Sequence, residues 1–192
     1  LKECPSIIVA CGGDGTINEV GSLLVGTPTK LGIIPFGSGN GLALSLNIPN
    51  QVFYALEAIK SGHIKKIDVG FINQYSFFCN ASLGTIAKMV HYYNKNPKRG
   101  LTAYSLAVIK SLFKKESLRT IKVKINEKEI ELKPDIFFIS NSNLIGYNFS
   151  LTPQASLDDG QLHLLYTDKM NFIEKLIFIY SMVAKIALKT KK

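Results

Sequence analysis

The chain has 192 residues, 46% of them hydrophobic, and its 23 Lys and Arg against 14 Asp and Glu give a net charge of +9. That hydrophobic share supports a packed core and excludes a disordered or low-complexity chain. The basic excess favours an anionic partner (a nucleotide, an acidic membrane surface or a nucleic acid), the plainer alternative being a solvated basic surface.

The three cysteines, Cys4, Cys11 and Cys79, are odd in number and form no Cys-x-x-Cys pair, so neither a disulfide framework nor a zinc site is expected and a reducing cytoplasm is the default. His63, His91 and His163 are scattered and read as structural. No apolar stretch is long enough to span a bilayer, and the first residues lack signal-peptide organisation.

In chain order, Ser6 to Cys11 is a short apolar run, predicting a strand covered on both faces. A glycine cluster follows, Gly12-Gly13-Asp14-Gly15, and then Thr16-Ile17-Asn18-Glu19, which has the form of a helix capping box. Ile17, Val20 and Leu24 share a helical face that Gly26-Thr27-Pro28 ends. Leu31 to Phe36 predicts a second buried strand, followed by the glycine turn Gly37-Ser38-Gly39-Asn40-Gly41 and a short helix to about Leu46. Gln51 to Lys60 predicts an amphipathic helix with Val52, Leu56 and Ile59 on its apolar face and Gly62 as its stop. Alternating strands and helices imply a parallel sheet.

That character fades near Lys65. Ile67 to Ile72 and Ser76 to Asn80 read as strands, Leu83 to Tyr93 and Leu101 to Lys115 as helices. Residues 121–125 and 128–132 read as a hairpin, Asp135 to Ser140 and Gln161 to Tyr166 as further strands. Ile173, Leu176, Ile177, Tyr180 and Val183 predict the apolar stripe of a last helix. The fold expected is α/β, a partial nucleotide-binding domain over residues 1–65 followed by a mostly antiparallel, β-rich domain over 66–192.

A glycine turn between a buried strand and a helix brings backbone N–H groups and the positive end of the helix dipole to an anion. Asp14 sits where a carboxylate repels phosphate, a costly choice unless it binds Mg²⁺ or accepts a proton from a substrate hydroxyl; otherwise it is an ordinary turn residue. Neither cluster is a Walker A loop, since Gly-Lys-Ser/Thr is absent, and the dinucleotide spacing is absent too. Turns at the carboxyl ends of neighbouring parallel strands converge on one crevice, so both loops are expected to line one phosphate site, with Ser38 and Asn40 adding neutral hydrogen-bonding groups.

Gly12-Gly13-Asp14-Gly15-Thr16 with Asn18-Glu19-Val20, and then Pro35-Phe36-Gly37-Ser38-Gly39-Asn40-Gly41-Leu42-Ala43, resembles the catalytic domain shared by diacylglycerol kinases, sphingosine and ceramide kinases and bacterial lipid kinases. The resemblance continues through Ile67-Asp68-Val69-Gly70, through residues 77–84, and through Pro153 to Leu162. It implies an NAD kinase/diacylglycerol kinase-like fold and transfer of the γ-phosphate of Mg²⁺-ATP to a hydroxyl of a diacylglycerol- or sphingosine-like lipid. On the same resemblance Gly12, Gly13, Gly15 and Thr16 match the ATP phosphate loop, and Gly37, Ser38, Gly39 and Asn40 the second nucleotide loop. Asp14 matches the catalytic acid, Asp68 an acid near the acceptor, and Asp159 a ligand of structural Mg²⁺, with Asp158 as its substitute.

Many diacylglycerol kinase relatives have Asp after the second-loop Asn; here it is Gly41, a small residue as in sphingosine-kinase-like proteins. The partners expected are ATP and a lipid at the membrane surface, with Lys95, Lys98, Arg99, Lys110, Lys114 and Lys115 available to face it. No nucleic-acid-binding module is recognisable. The location expected is cytoplasmic with peripheral membrane attachment. The alternatives are an NAD kinase, which shares the first motif, and a non-catalytic nucleotide- or membrane-binding module. Both ends read as cuts through a larger protein. The family's upstream Asn-Pro loop and downstream Asp-Gly-Glu segment are not in the chain, so by itself it is expected to bind ATP weakly and phosphorylate no lipid.

Overall fold

The computed structural model describes residues 5–97, 100–113, 120–125 and 128–184. β1 (Ile7–Gly12) and β2 (Lys30–Pro35) form a parallel pair with Ala10 opposite Ile33. Between them α1 (Asp14–Ser22) packs back on β1, as a parallel crossover requires. The second glycine loop leads into the short α2 (Gly41–Ser45), and α3 (Val52–Lys60) lies over β2. Gly62, at φ 73°, follows α3 as expected of a left-handed stop.

The rest is antiparallel. β3 (Gly70–Ile72) and β4 (Tyr75–Phe77) form a small hairpin. β5 (Asn80–Gly84) runs into α4 (Thr85–Lys95), which packs against α5 (Leu101–Phe113). β6 (Ile121–Ile125) and β7 (Lys128–Leu132) are the expected hairpin. β8 (Ile136–Ser140) is the centre of a three-stranded sheet between β5 and β9 (His163–Thr167), and α6 (Phe172–Ala184) closes the described chain. Lys114 and Lys115, and Lys98 and Arg99, lie outside the described residues.

Two apolar clusters result. One joins Ala10, Ile17, Ile33, Leu42 and Ala43 with Phe78 and Leu157, which enter from the antiparallel part. The other gathers Ile86, Met89, Tyr104, Val108, Phe138, Leu165, Phe178 and Met182 between the three-stranded sheet and helices α4, α5 and α6.

Several expectations are corrected. β1 is not covered on both faces: Ile7 is 41% and Val9 46% exposed. α3 seats on β2, where the bare Cα of Gly32 admits Ile59, and leaves the Ile7–Val9 side open. α3 accordingly turns Ala55 and Ile59 inward, while Val52 and Leu56 face solvent. There is no capping box at Thr16. α1 begins two residues earlier, with Gly13 as N-cap and no side-chain cap, because Asp14 bonds across to another helix.

The long strand expected from Ile67 starts only at Gly70. The Asp68 N–H donates to the Leu157 carbonyl at 2.6 Å and its carbonyl accepts from Asn141 at 2.8 Å, so its backbone groups are satisfied without a ladder. In α6 the expected stripe faces outward: Ile173 is 67% and Ile177 54% exposed, while Phe178, Ser181 and Met182 are buried. The Val183 side chain lies outside the described residues. Phe178 and Met182, one turn apart, place the larger ring and the adaptable thioether against the sheet.

Gly84 joins β5 to α4 at φ 73°, ψ −137°, a region that side chains avoid, and a Cβ there would collide with the Asp135 carbonyl. Thr85 completes the junction through its hydroxyl to Asp135 Oδ1 at 2.7 Å and its N–H to the Asp135 carbonyl at 2.9 Å. Gly84→Ala is therefore expected to destabilise the protein by about 2 kcal/mol or more; chemical denaturation midpoints of the two proteins check it.

Candidate active site

The two glycine loops leave the carboxyl ends of the paired strands β1 and β2, and the parallel register brings them together. A Cβ on Gly13 would lie 3.1 Å from the Gly37 Cα, and one on Gly37 would overlap Gly13. The loops touch backbone to backbone, so both positions demand glycine for lack of space. Gly12 is crowded differently: the Thr16 side chain folds over it, 2.6 Å from where a Cβ would sit. Gly15, by contrast, opens on free space at the first turn of α1.

Asp14 spans the gap between the loops. Its Oδ2 accepts the Gly41 N–H and its Oδ1 the Leu42 N–H, each at 3.0 Å. The carboxylate thus satisfies two donors at the start of α2 that have no partner within the helix. Each oxygen keeps a further lone pair, since a carboxylate accepts about four hydrogen bonds.

Asn40 shapes the second loop. At φ 49° it holds a left-handed conformation that Asn tolerates. Its Oδ1 accepts the Gly37 N–H and its Nδ2 donates to the Gly37 carbonyl, both at 2.9 Å, with a further contact to Asn50 Oδ1 at 3.2 Å. The Ser38 hydroxyl pairs with Tyr93 at 2.7 Å.

A third segment, which sequence reading missed, completes the site. Gly146, at φ 105°, packs on Gly39, and the Tyr147 N–H donates to the Gly39 carbonyl at 3.3 Å. Asn141, fully buried, donates to the Asp68 and Phe78 carbonyls at 2.8 and 2.9 Å, while its N–H reaches the Cys79 carbonyl at 2.7 Å. The signal available in the sequence was the polar run Ser140-Asn141-Ser142-Asn143 directly after an apolar strand, followed by an isolated glycine.

A cleft of about 310 Å³ opens beside this junction, lined by Asp14, Gly15, Asn18, Gly41, Leu42, Phe78, Cys79, Asn80 and Ile145. Burial, reinforced by the nearby Asp14 charge, pushes the Cys79 thiol up to about 12, so it stays protonated at neutral pH.

Asp68 is not among the residues lining the cleft. Its Oδ2 accepts the Gly160 N–H at 2.7 Å, which places it with the turn that carries Asp158 and Asp159. Asp159 accepts the Gln161 N–H at 2.9 Å and lies 3.4 Å from His163 Nε2. Asp158 bonds Ser156 at 2.6 Å and Lys65 at 3.0 Å, and those two contacts hold its carboxyl below the usual range. Among the described residues no three His, Cys, Asp or Glu side chains gather as a metal site. No described helix is long and apolar enough to cross a membrane.

Residues 2–72, which hold the two strand–glycine loop–helix units, match the model of the diacylglycerol kinase catalytic domain. Beyond that segment, the chain is 30% identical over 178 residues to a diacylglycerol kinase of Staphylococcus aureus (strain JH9), an alignment covering 91% of this chain and 56% of the relative. The same values hold for the diacylglycerol kinase of strain Newman. The fold is that of solved structures from Bacillus anthracis str. Sterne. A putative diacylglycerol kinase superposes with a TM-score of 0.76 at 21% identity over 97% of this chain and 62% of that one. A second structure, of a diacylglycerol kinase from the same strain, gives 0.72 at 22% identity over 91% of this chain and 58% of that one. The similarity therefore covers 91% of the chain, which spans 56% of the length of the curated relatives it matches.

Asp14→Asn sets an amide nitrogen against one of the two N–H donors and is not structurally silent. It is expected to cost about 1–3 kcal/mol of stability and at least about a hundredfold in turnover. Melting curves and phosphoryl-transfer rates of the intact protein measure the two effects; unchanged turnover removes Asp14 from the chemistry.

Proposed function

We propose that this chain is the core of an ATP-dependent lipid kinase that phosphorylates a hydroxyl of a diacylglycerol- or sphingosine-like lipid. The observation that carries the reading is the contact of two glycine loops from neighbouring parallel strands with Asp14 pinned between them.

In this reading the amides at the start of α1, with Gly12, Gly13, Gly15 and Thr16, receive the nucleotide phosphates, and Gly15 leaves the approach open. Gly37 to Asn40, which abut Gly13 beside the lined cleft, would supply the second phosphate-binding loop, whose shape Asn40 maintains. Mg²⁺-ATP, when bound, supplies the phosphoryl group and neutralises its charge. Asp14 lines the cleft and has acceptor capacity left to hold the metal or to take the proton from the acceptor hydroxyl. Phe78 and Ile145 give the cleft an apolar side for the acceptor. Asp68 stays in the proposal as an acid on the acceptor side, held through Gly160. The layers expected at residues 1–65 and 66–192 then contribute donor and acceptor walls to one cleft. The +9 charge suits an acidic membrane surface.

The experiment offers labelled ATP and Mg²⁺ to the intact protein with diacylglycerol, sphingosine and NAD side by side. Label in a lipid and none in NAD is the expected outcome. Label in NAD identifies an NAD kinase, and ATP binding without transfer to any acceptor identifies a non-catalytic module.

Asp159 is proposed as a Mg²⁺ ligand. It is a hard oxygen donor on a turn whose backbone carbonyls and waters would complete the shell. Added Mg²⁺ is expected to raise the melting temperature of the wild type and not of Asp159→Ala; an equal response in both removes Asp159 from the site.

A further inference from the structure

Ordering the second glycine loop costs more than ordering most loops, because Gly37 and Gly39 lose more backbone freedom than other residues, and Asn40 secures only the Gly37 end. Its tip is gripped from outside. The Ser38 hydroxyl, 2.7 Å from Tyr93 Oη, is directed to α4. Tyr93 Oη lies 2.8 Å from Tyr147 Oη and accepts the Gly100 N–H at 3.4 Å. Tyr147 returns to the same loop through its N–H, 3.3 Å from the Gly39 carbonyl. Two neighbouring loop residues are thus held by one pair of tyrosines.

The rings are fixed in turn. Tyr104, buried on α5, meets Tyr93 edge-on at 5.8 Å and Tyr147 at 5.2 Å, and stacks on Phe149 at 5.6 Å. Burial holds the Tyr147 hydroxyl above its usual pKa, so it remains a neutral hydrogen-bonding group at physiological pH. The Tyr147 backbone is at φ 48°, a left-handed conformation unfavourable to a bulky residue, kept only where the surroundings over-determine it. Such an arrangement is costly unless the loop it holds must be in one shape before its ligand arrives.

We propose that Tyr93 and Tyr147 are positioning residues that preorganise the 37–40 loop, so that nucleotide affinity rather than the chemical step depends on the hydroxyl chain Ser38–Tyr93–Tyr147. The proposal rests on the reading of that loop as a nucleotide-binding wall. A loop ordered in advance loses less freedom on binding, and the saving appears as affinity. Because Tyr93 belongs to α4 and Tyr104 to α5, the seating of that helix pair sets the geometry of a loop that neither helix adjoins in sequence.

Two measurements test it. The first is amide hydrogen exchange of residues 36–41 in the nucleotide-free protein. Tyr93→Phe keeps the ring and removes both hydroxyl links, and faster exchange there than in the wild type is expected; unchanged exchange overturns the clamp. The second is kinetics of the intact enzyme. Tyr93→Phe is expected to raise the KM for ATP by about threefold to tenfold, the scale of one net hydrogen bond, with kcat within about twofold. A fall in kcat at unchanged KM for ATP overturns the proposal. Tyr147→Phe, which removes the other end of the hydroxyl chain at a residue outside the loop, should give a similar shift, and the double variant no more than either single one; additive shifts overturn the single-chain view. If Tyr93→Phe fails to fold, Tyr147→Phe carries both measurements. If the wild type shows no ATP dependence, the nucleotide reading fails, and the exchange measurement still decides whether the clamp orders the loop.

Discussion

The carboxylate of Asp14 accepting the Gly41 and Leu42 N–H groups is the interaction on which the geometry of the site depends. It joins the first turn of α1 to the first turn of α2, and through them the ends of β1 and β2. A negative charge at a helix N-terminus is favourable, so the same bond stabilises α2, a five-residue helix too short to be stable from its own hydrogen bonds. The charge that repels phosphate in a bare glycine loop is here partly neutralised by the backbone.

Around that bond the site is built from main chain more than from side chains. Gly13 meets Gly37, Gly39 meets Gly146, and Asn40 uses both ends of its amide on Gly37. Asn141 does comparable work beneath the cleft, drawing the carbonyls of Asp68 and Phe78 toward one buried side chain. Phe78 and Leu157, from the antiparallel part of the chain, lie in the same apolar cluster as Ile17 and Leu42. The parallel layer and the antiparallel part are therefore packed as one piece at the level of Phe78.

What could be read from the sequence was whatever depends on local order. The two strand–glycine–helix units, the hairpin after Ile121 and the left-handed stop at Gly62 each follow from neighbouring residues, and each is present. What could not be read depends on distant partners. The Thr16 capping box failed because the acid two residues before it bonds a helix 27 residues away. The strand at Ile67 failed because its backbone is satisfied by Leu157 and Asn141. The α6 stripe failed because apolar residues surround that helix, so periodicity offers several faces and the core selects Phe178 and Met182. Of the candidate site, Asp14 and the two loops were legible as a converging set. Asn141, Gly146 and the tyrosines were not, since their roles arise only from tertiary approach.

The contact of Gly13 with Gly37 also bears on how such a cleft could move. Two backbones in van der Waals contact, tied by a carboxylate bridge and by the Phe36 N–H to the Gly12 carbonyl at 2.8 Å, leave no slack between them. That junction is consequently stiff, and because Ile145 and Gly146 pack on Gly41 and Gly39, the segment 145–147 of the antiparallel half is drawn into the same unyielding piece.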